Sequence, residues 1–216
     1  MKKSTSNDVS KQALALHKKL GGKIRISSVS KIKNKNELSL LYTPGVGAVS
    51  SYVAKNKKEA RDYTIAGRVV AVISDGSAVL GLGNIGPEAA LPVMEGKSQL
   101  FKHFGNIDAV PIVLSTHDPE QIIAAVEAIA PTFAGINLED IAAPQCFHIE
   151  EELKKRLNIP VMHDDQWGTA VVVLAGLINA LKLADKKLAD CRIVLSGAGA
   201  AGTAILKLLL DQGATN

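Results

Sequence analysis

Apolar runs of seven or eight residues alternate with longer amphipathic segments in the middle of this chain, and that alternation limits its fold more than any other feature. The runs cover 68–75, 109–116, 133–140 and 159–165, and each has the length of a buried β-strand. Strands that alternate with helices predict an α/β fold, with a mostly parallel sheet flanked by helices. Only 4% of the residues are aromatic, so we expect a core of Ala, Val, Ile and Leu, which suits such a sheet.

Helices are predicted on both sides of these strands. Ahead of the first strand, the pattern predicts a helix over 9–20 and a helical region over 36–56 that a loop at Pro44 interrupts. Asp118 and Pro119 have the residue types typical of a helix cap and of the first helical position. The later helices are expected over 87–105, 118–130, 146–158 and 168–184.

A glycine-rich stretch near the end of the sequence predicts a dinucleotide-binding turn. Gly197, Gly199 and Gly202 form a G-x-G-x-x-G pattern that follows the apolar run 191–196, a further predicted strand, and leads into an apolar helix. In that context the first glycine allows a tight turn, the second lets a pyrophosphate approach the backbone, and the third lets helix and strand pack closely. A glycine turn without a ligand is the alternative.

The cofactor could be NAD or NADP. The acid that would bind the ribose is expected about 20 residues beyond Gly197, at or just past residue 216. A polar segment at 185–190 precedes the glycine unit. We therefore predict a substrate and metal domain at 1–165, followed at 166–216 by a connecting helix and the start of a Rossmann-type βα unit, which we expect to be truncated.

A second match to the same glycine pattern, at Gly81, Gly83 and Gly86, has a different context. Several residues separate it from the preceding strand, and Pro87 follows it at once. We interpret this stretch as a loop that faces the substrate.

Two pairs of acids, Glu139-Asp140 and Asp164-Asp165, stand at the ends of predicted strands. Ligands of open α/β sheets collect at the carboxyl ends of strands, and neighbouring parallel strands would bring both pairs together. Four carboxylates in one crevice would repel each other unless a cation joined them, and Mg²⁺ and Mn²⁺ prefer such oxygen ligands. A turn or a helix cap is the alternative for each pair alone. His163, beside the second pair, is expected to be structural.

Lys97 and Tyr42 are candidates for proton transfer. Lys97 lies in a mostly apolar stretch, where burial would lower its pKa and make it a usable base. Nearby carboxylates would oppose this lowering of the pKa, and a bound cation would restore it. Tyr42 precedes a rigid turn and is a possible acid. Considered alone, each residue is more often structural.

The charge distribution argues against a nucleic-acid partner. Residues 1–35 hold ten of the 25 Lys and Arg residues and one acid, whereas the rest of the chain has 15 bases and 20 acids. The basic stretch contains no aromatic residue, which is typical of a solvated tail and surface helix rather than of a nucleic-acid-binding face.

Several observations predict a cytoplasmic protein without a membrane partner. Cys146 and Cys191 lie far apart in apolar surroundings and are expected to be free thiols. We find no apolar run of 18 residues, so we expect no transmembrane helix. The N-terminus lacks the hydrophobic region of a secretion signal.

Five ordered motifs make the chain similar to malic enzymes of the short bacterial type, from about residue 14 to its end. The motifs are LYTPGVG, SDGSAVLGLGNIGPEAALPVMEGKSQLF, INLEDIAAPQCF, HDDQWGTAVVVLAGLINAL and SGAGAAG. The resemblance implies oxidative decarboxylation of malate to pyruvate and CO₂, with NAD or NADP, Mg²⁺ or Mn²⁺, and a homodimer.

The resemblance also implies a role for each matching residue. Lys97 would remove the C2 hydroxyl proton of malate as hydride leaves for the nicotinamide, Tyr42 would protonate C3 after CO₂ departs, and Asp164 would support the site. The metal ligands would be Glu139, Asp140 and Asp165. The cofactor pyrophosphate would lie at Gly197, Gly199, Ala200, Ala201 and Gly202.

Two positions depart from the family pattern. The longer animal-type members carry an arginine where this chain has Ser77-Ala78, so the group that holds a malate carboxylate stays open. Trp167 stands where a polar residue is expected.

The missing C-terminal half, where the family places substrate-binding asparagines, leads us to expect little or no turnover from these 216 residues alone. The alternatives are a metal-dependent 2-hydroxy-acid dehydrogenase that releases no CO₂, and a non-catalytic binding fragment.

Overall fold

The computed structural model describes residues 6–79 and 81–215 and contains a four-stranded, entirely parallel sheet. The strand order is β2-β1-β3-β4. The predicted α/β class and all four predicted strands of the central region are confirmed. The strands are β1 (Val69–Ser74), β2 (Asp108–Val113), β3 (Gly135–Leu138) and β4 (Val161–His163).

Nine α-helices lie within the described residues, and their order gives the expected alternation with the strands. Four of them precede the sheet, three connect its strands and two follow it. They are α1 (Ser6–Leu20), α2 (Lys35–Leu41), α3 (Gly45–Lys55), α4 (Ala60–Tyr63), α5 (Pro87–Gly105), α6 (Pro119–Ile129), α7 (Gln145–Arg156), α8 (Asp164–Ala184) and α9 (Ala200–Asp211).

Both faces of the sheet are covered by helices, as a buried parallel sheet requires. Helices α6 and α7 pack on one face around a large aliphatic cluster, whereas α5 packs on the other around Val72, Met94 and Ala109. Successive side chains of a strand point to opposite faces, so Ile73 joins the first cluster and Val72 the second. The expected core of aliphatic side chains is therefore present.

The strand order creates a crevice at the carboxyl ends of β1 and β3. The chain leaves β1 towards β2 on one side and leaves β3 towards β4 on the other, so the loops after these two neighbouring strands diverge. Such a switch point is where open α/β sheets bind their ligands. The loops that border it begin at Asp75 and Glu139.

The predicted strand at 191–196 is not formed. These residues join no sheet within the described part of the chain, and Val194 is 94% exposed. A strand requires the ladder hydrogen bonds of a neighbour, and the last strand on this side of the sheet, β4, pairs only with β3. An apolar sequence alone therefore could not produce the strand.

Helix α8 begins earlier than its apolar pattern predicts. We placed Asp164 and Asp165 at the end of a strand, but β4 ends at His163 and both acids occupy the first turn of α8. Carboxylates are stabilised at this end of a helix by its exposed N–H groups, which explains the earlier start.

We expected no membrane-spanning segment, and this stays a prediction. Among the described residues, α8 has the length and composition of such a segment. A single helix of this kind is weak evidence for a membrane span, because long apolar helices of other proteins meet the same criterion. Its exposed apolar side chains include Val171, Val172 and Leu183.

Helix α6, which packs on the sheet, begins at a side-chain cap that the sequence predicts. The Asp118 side chain accepts hydrogen bonds from the backbone N–H groups of Glu120 and Gln121, as the sequence predicts for a cap. We expect Asp118→Ala to lower the free energy of unfolding by about 1 kcal/mol, measured by urea denaturation. Asp118→Asn keeps the acceptor and should change it less. Equal stability of the Ala variant and the unchanged protein would contradict the capping role.

Candidate metal and catalytic site

Three carboxylates from two neighbouring strand ends form one cluster. One oxygen from each of Glu139, Asp140 and Asp165 lies within 4.8 Å of the others. The pairing of Leu138 with His163 explains this, because the residues that follow the two strands leave the sheet at the same level. Three of the four acids in the two predicted pairs therefore converge here.

The backbone around Asp140 connects this cluster to the loop after β1. Asp140 has a positive φ of 54°, which Asp tolerates better than most residues. Its N–H donates to Asp165 Oδ2 at 3.0 Å, and its carbonyl oxygen accepts from the N–H of Ala78 at 3.0 Å. The loops on both sides of the crevice are thus held together at the acids.

Glu139 is buried, with 5% of its surface exposed. Its Oε2 accepts from Asn137 Nδ2 at 2.9 Å, and its Oε1 lies 3.0 Å from Lys97 Nζ. Burial raises the pKa of Glu139 to about 7 against the opposing effects of Lys97 and Asn137. The contacts with Lys97 and Asn137 therefore stabilise the ionised form of Glu139 less than burial destabilises it.

The donor chemistry of the cluster fits a hard divalent cation. All three side chains offer carboxylate oxygens, the ligands that Mg²⁺ and Mn²⁺ prefer, and two of the three are buried. A divalent charge would also offset the repulsion between these acids. Glu139, Asp140 and Asp165 are therefore the residues that could hold such an ion.

Lys97 lies between the metal candidates and Asp164. Its Nζ donates to Asp164 Oδ2 at 2.5 Å and forms an ion pair with Glu139. Burial lowers the pKa of Lys97, but the hydrogen bonds and charges of Asp164 and Glu139 outweigh it and leave the pKa above its ordinary value. Of the two opposing effects that we expected, the carboxylates therefore dominate in this arrangement.

His163 is fully buried beside the cluster. Its Nε2 lies 3.5 Å from Asp165 Oδ2, and neither ring nitrogen has a hydrogen-bond partner within 6–79 and 81–215. Burial lowers the pKa of the His163 imidazole against the nearby carboxylates. Its interpretation as a structural residue stays a prediction.

A hydrogen-bonded network that we did not predict borders the other side of the crevice. The buried Asp75 accepts from the N–H and the hydroxyl of Ser77 through Oδ1, and its Oδ2 lies 2.9 Å from His117 Nδ1. Ser77 Oγ accepts from the N–H of Ala142 at 2.8 Å, which connects the loops after β1 and β3. Asp75 directly follows the buried strand β1, and an acid at that position could have indicated this network from the sequence.

The other predicted catalytic residue, Tyr42, is not held in this cluster by any hydrogen bond. It follows α2, its side chain is 65% exposed, and its hydroxyl bonds to no described residue. The structure thus brings Lys97 and Asp164 to the metal candidates but does not connect Tyr42 to them. The role of Tyr42 stays a prediction.

The predicted cofactor residues lie together at the start of α9. Gly197 has a φ of 107°, a conformation that favours glycine, and a Cβ on Gly202 would overlap the carbonyl oxygen of Gly197. The conformation of Gly197 is the tight turn expected of the first glycine, whereas Gly202 packs against this turn and not against a strand, because 191–196 form none among the described residues. Gly199 is the N-cap residue of α9, and Ala200 and Ala201 are the first two residues of the helix. The position expected for the ribose-binding acid lies outside the described residues.

Two family models match the chain. Residues 21–154 match the model of the malic enzyme N-terminal domain, and residues 167–216 match that of the malic enzyme NAD-binding domain. The first match covers more than half of the chain and contains Lys97, Glu139 and Asp140. The second contains the glycine turn.

Individual relatives and a solved structure agree with these matches. The NAD-dependent malic enzyme of Geobacillus stearothermophilus is 56% identical over 97% of this chain and 43% of its own length. The bifunctional malic/malolactic enzyme of Bacillus subtilis is 55% identical over 94% of the chain and 49% of its own length. The crystal structure of the NAD-dependent malic enzyme of Thermotoga maritima is 54% identical, with a TM-score of 0.92, over 94% of this chain and 54% of that one.

The chain therefore spans about half the length of the relatives that it matches. Its first domain and its strand-end acids lie in the part that it shares with them. From the family-model match and the structural similarity, this chain belongs to the malic enzyme family.

Proposed function

We propose that the protein to which this chain belongs oxidises malate and decarboxylates it to pyruvate and CO₂, with NAD(P) as the hydride acceptor and Mg²⁺ or Mn²⁺ in the acid cluster. The observation that carries the proposal is the meeting of Glu139, Asp140 and Asp165 beside the amine of Lys97. Membership of the malic enzyme family supports it.

The proposed reaction needs a group that takes the C2 hydroxyl proton of malate as hydride leaves C2. Lys97 is our candidate, because its Nζ reaches the edge of the acid cluster and donates a hydrogen bond to Asp164. Asp164 and Glu139 hold the pKa of Lys97 above its ordinary value, so the amine would act as a base only once a bound cation offsets their charge. A bound divalent cation would supply Lewis-acid stabilisation of the negative charge that develops on the substrate oxygens. A shallow cleft of about 350 Å³ is lined by Asp164 and by residues of α8 that follow it.

The cofactor is proposed to bind at the start of α9. A helix that begins at a glycine turn presents free N–H groups and a positive end to a pyrophosphate. The choice between NAD and NADP depends on residues beyond the glycine turn. Oxidised cofactor would accept the hydride from C2, and loss of CO₂ would then leave a carbanion at C3 for protonation, the step that we assign to Tyr42.

The predicted homodimer is supported by apolar side chains that the first three helices leave exposed. Helices α2 and α3 contain no buried residue, and the described side chains of α1 are almost all exposed. Large exposed apolar surface marks interaction sites. Tyr42 belongs to this surface, so a dimer that covers it would also enclose Tyr42. The exposed apolar residues include Leu14, Leu16, Leu40, Leu41, Val46 and Val49.

Removing one metal candidate tests the acid cluster directly. We expect Asp165→Ala to abolish Mn²⁺ binding and malate oxidation, because one of three converging carboxylates is lost, while the circular dichroism spectrum stays unchanged. Binding is measured by titrating full-length protein with Mn²⁺ and monitoring the free ion by electron paramagnetic resonance. Asp62→Ala, which removes an exposed acid on α4, is the control and should bind normally. Unchanged binding in Asp165→Ala would refute the metal assignment.

The base assignment predicts a different kinetic signature. We expect Lys97→Ala to lower kcat by at least about 100-fold at saturating Mn²⁺ and malate, as loss of a general base does. Lys97→Arg should be equally impaired, because a guanidinium does not release its proton at neutral pH. Lys102→Ala removes an amine that pairs with Asp108 at the surface and should retain activity. An active Lys97→Ala variant would show that another group takes the proton.

Product analysis separates the proposed reaction from its two alternatives. With malate, Mn²⁺ and either nicotinamide cofactor, we expect one pyruvate for each cofactor reduced. Reduced cofactor without pyruvate would identify a dehydrogenase that releases no CO₂. Mn²⁺ binding without any cofactor reduction would identify a non-catalytic binding protein.

A further inference from the structure

A buried carboxylate on α7 lies behind the metal candidates and is not one of them. Glu150 is 3% exposed and shares the inner face of the helix with Cys146, Ile149 and Leu153. Burying an ionised carboxylate is unfavourable unless hydrogen bonds and charges replace its water. The partners of Glu150 therefore show what this residue holds in place.

Glu150 accepts four hydrogen bonds, and three of them come from the segment that carries Asp164 and Asp165. Oε1 accepts from the backbone N–H of His163 at 3.0 Å, and Oε2 accepts from Gln166 Nε2 and Trp167 Nε1 at 3.1 Å each. The donors stand immediately before and after the two acids in the sequence. The Glu150 carboxylate is thus hydrogen-bonded to residues on both sides of the Asp164-Asp165 pair.

The fourth donor is Lys154, one turn further along α7. Its Nζ lies 2.8 Å from Glu150 Oε1 and 5.3 Å from the centre of the Trp167 ring, over its face. A carboxylate has about four acceptor positions, and here four donors fill them. The ammonium supplies the compensating charge, and its position over the indole adds a cation–π contact. This arrangement also accounts for Trp167, which replaces the polar residue expected there.

Glu150 acts at the point where strand changes to helix. His163 precedes α8 as its cap residue, but its own side chain makes no capping bond. The bond from Glu150 to the His163 N–H supplies a partner from another helix, and the negative carboxylate lies favourably near the start of α8. From the first turn of α8, Asp165 bonds to Asp140 and Asp164 bonds to Lys97.

We propose that Glu150 is a positioning residue of the metal site, which sets the orientation of the first turn of α8 and with it the carboxylates of Asp164 and Asp165. This inference deepens the proposed function and depends on a metal binding at the acid cluster. Groups that orient metal ligands from behind change metal affinity by about 10–100-fold when they are removed.

The test is the Mn²⁺ dissociation constant of Glu150→Gln, measured by electron paramagnetic resonance on full-length protein. Glutamine keeps the size of the side chain but presents an NH₂ to donors that need an acceptor, so we expect the dissociation constant to rise by about 10–100-fold. Glu151→Gln changes the next residue, which is exposed, and should leave the constant unchanged. A folded Glu150→Gln variant with unchanged Mn²⁺ affinity would overturn the proposal.

A second variant keeps the test decisive if Glu150→Gln does not fold. Gln166→Met preserves the volume and removes one donor, so we expect a smaller rise, of several-fold, in the same constant, measured on protein whose circular dichroism spectrum is unchanged. Unchanged affinity in this folded variant would also reject the proposal. Loss of Mn²⁺ binding in Asp165→Ala together with unchanged Mn²⁺ affinity in Glu150→Gln would reject only the positioning role. Equal Mn²⁺ binding by Asp165→Ala and the unchanged protein would instead reject the metal site itself.

Discussion

The rest of this site depends on the register of two neighbouring parallel strands, β3 and β4, whose last residues lie opposite each other. β3 and β4 pair so that Leu138 lies opposite His163, and the chain turns out of the sheet immediately after both. The backbone hydrogen bonds between the two strands therefore bring the acids that follow close to each other. A shift in this register would move one acid pair along the strand relative to the other and separate the ligands.

Carboxylates this close together repel each other, and neighbouring side chains offset that repulsion or hold the acids in place. Lys97 neutralises part of the charge, Asn137 donates to Glu139, and Glu150 fixes the turn from behind. The Asp75 network holds the loops on the other side of the crevice. A divalent cation would complete the compensation, which is why we propose a metal-dependent reaction on this sheet.

The sequence predicted the sheet and the acid cluster because both depend on patterns that are local or periodic. Alternating apolar runs determine which segments pair, and strand ends determine where Glu139 and Asp140 emerge. Helical spacing also held a signal that we did not use, since Glu150 falls on the same face as the buried Ile149 and Leu153. The apolar run at 191–196 was misinterpreted because a strand depends on a neighbour that no local pattern reveals.

We propose that Glu139, Asp140 and Asp165 together bind one divalent cation at the carboxyl end of this sheet. Crystals of the full-length protein grown with Mn²⁺ would test it through the anomalous scattering of the ion. We expect one strong peak about 2 Å from an oxygen of each of the three carboxylates, with Lys97 displaced from Glu139. A Mn²⁺ peak bound elsewhere, with the Lys97–Glu139 ion pair intact, would contradict it.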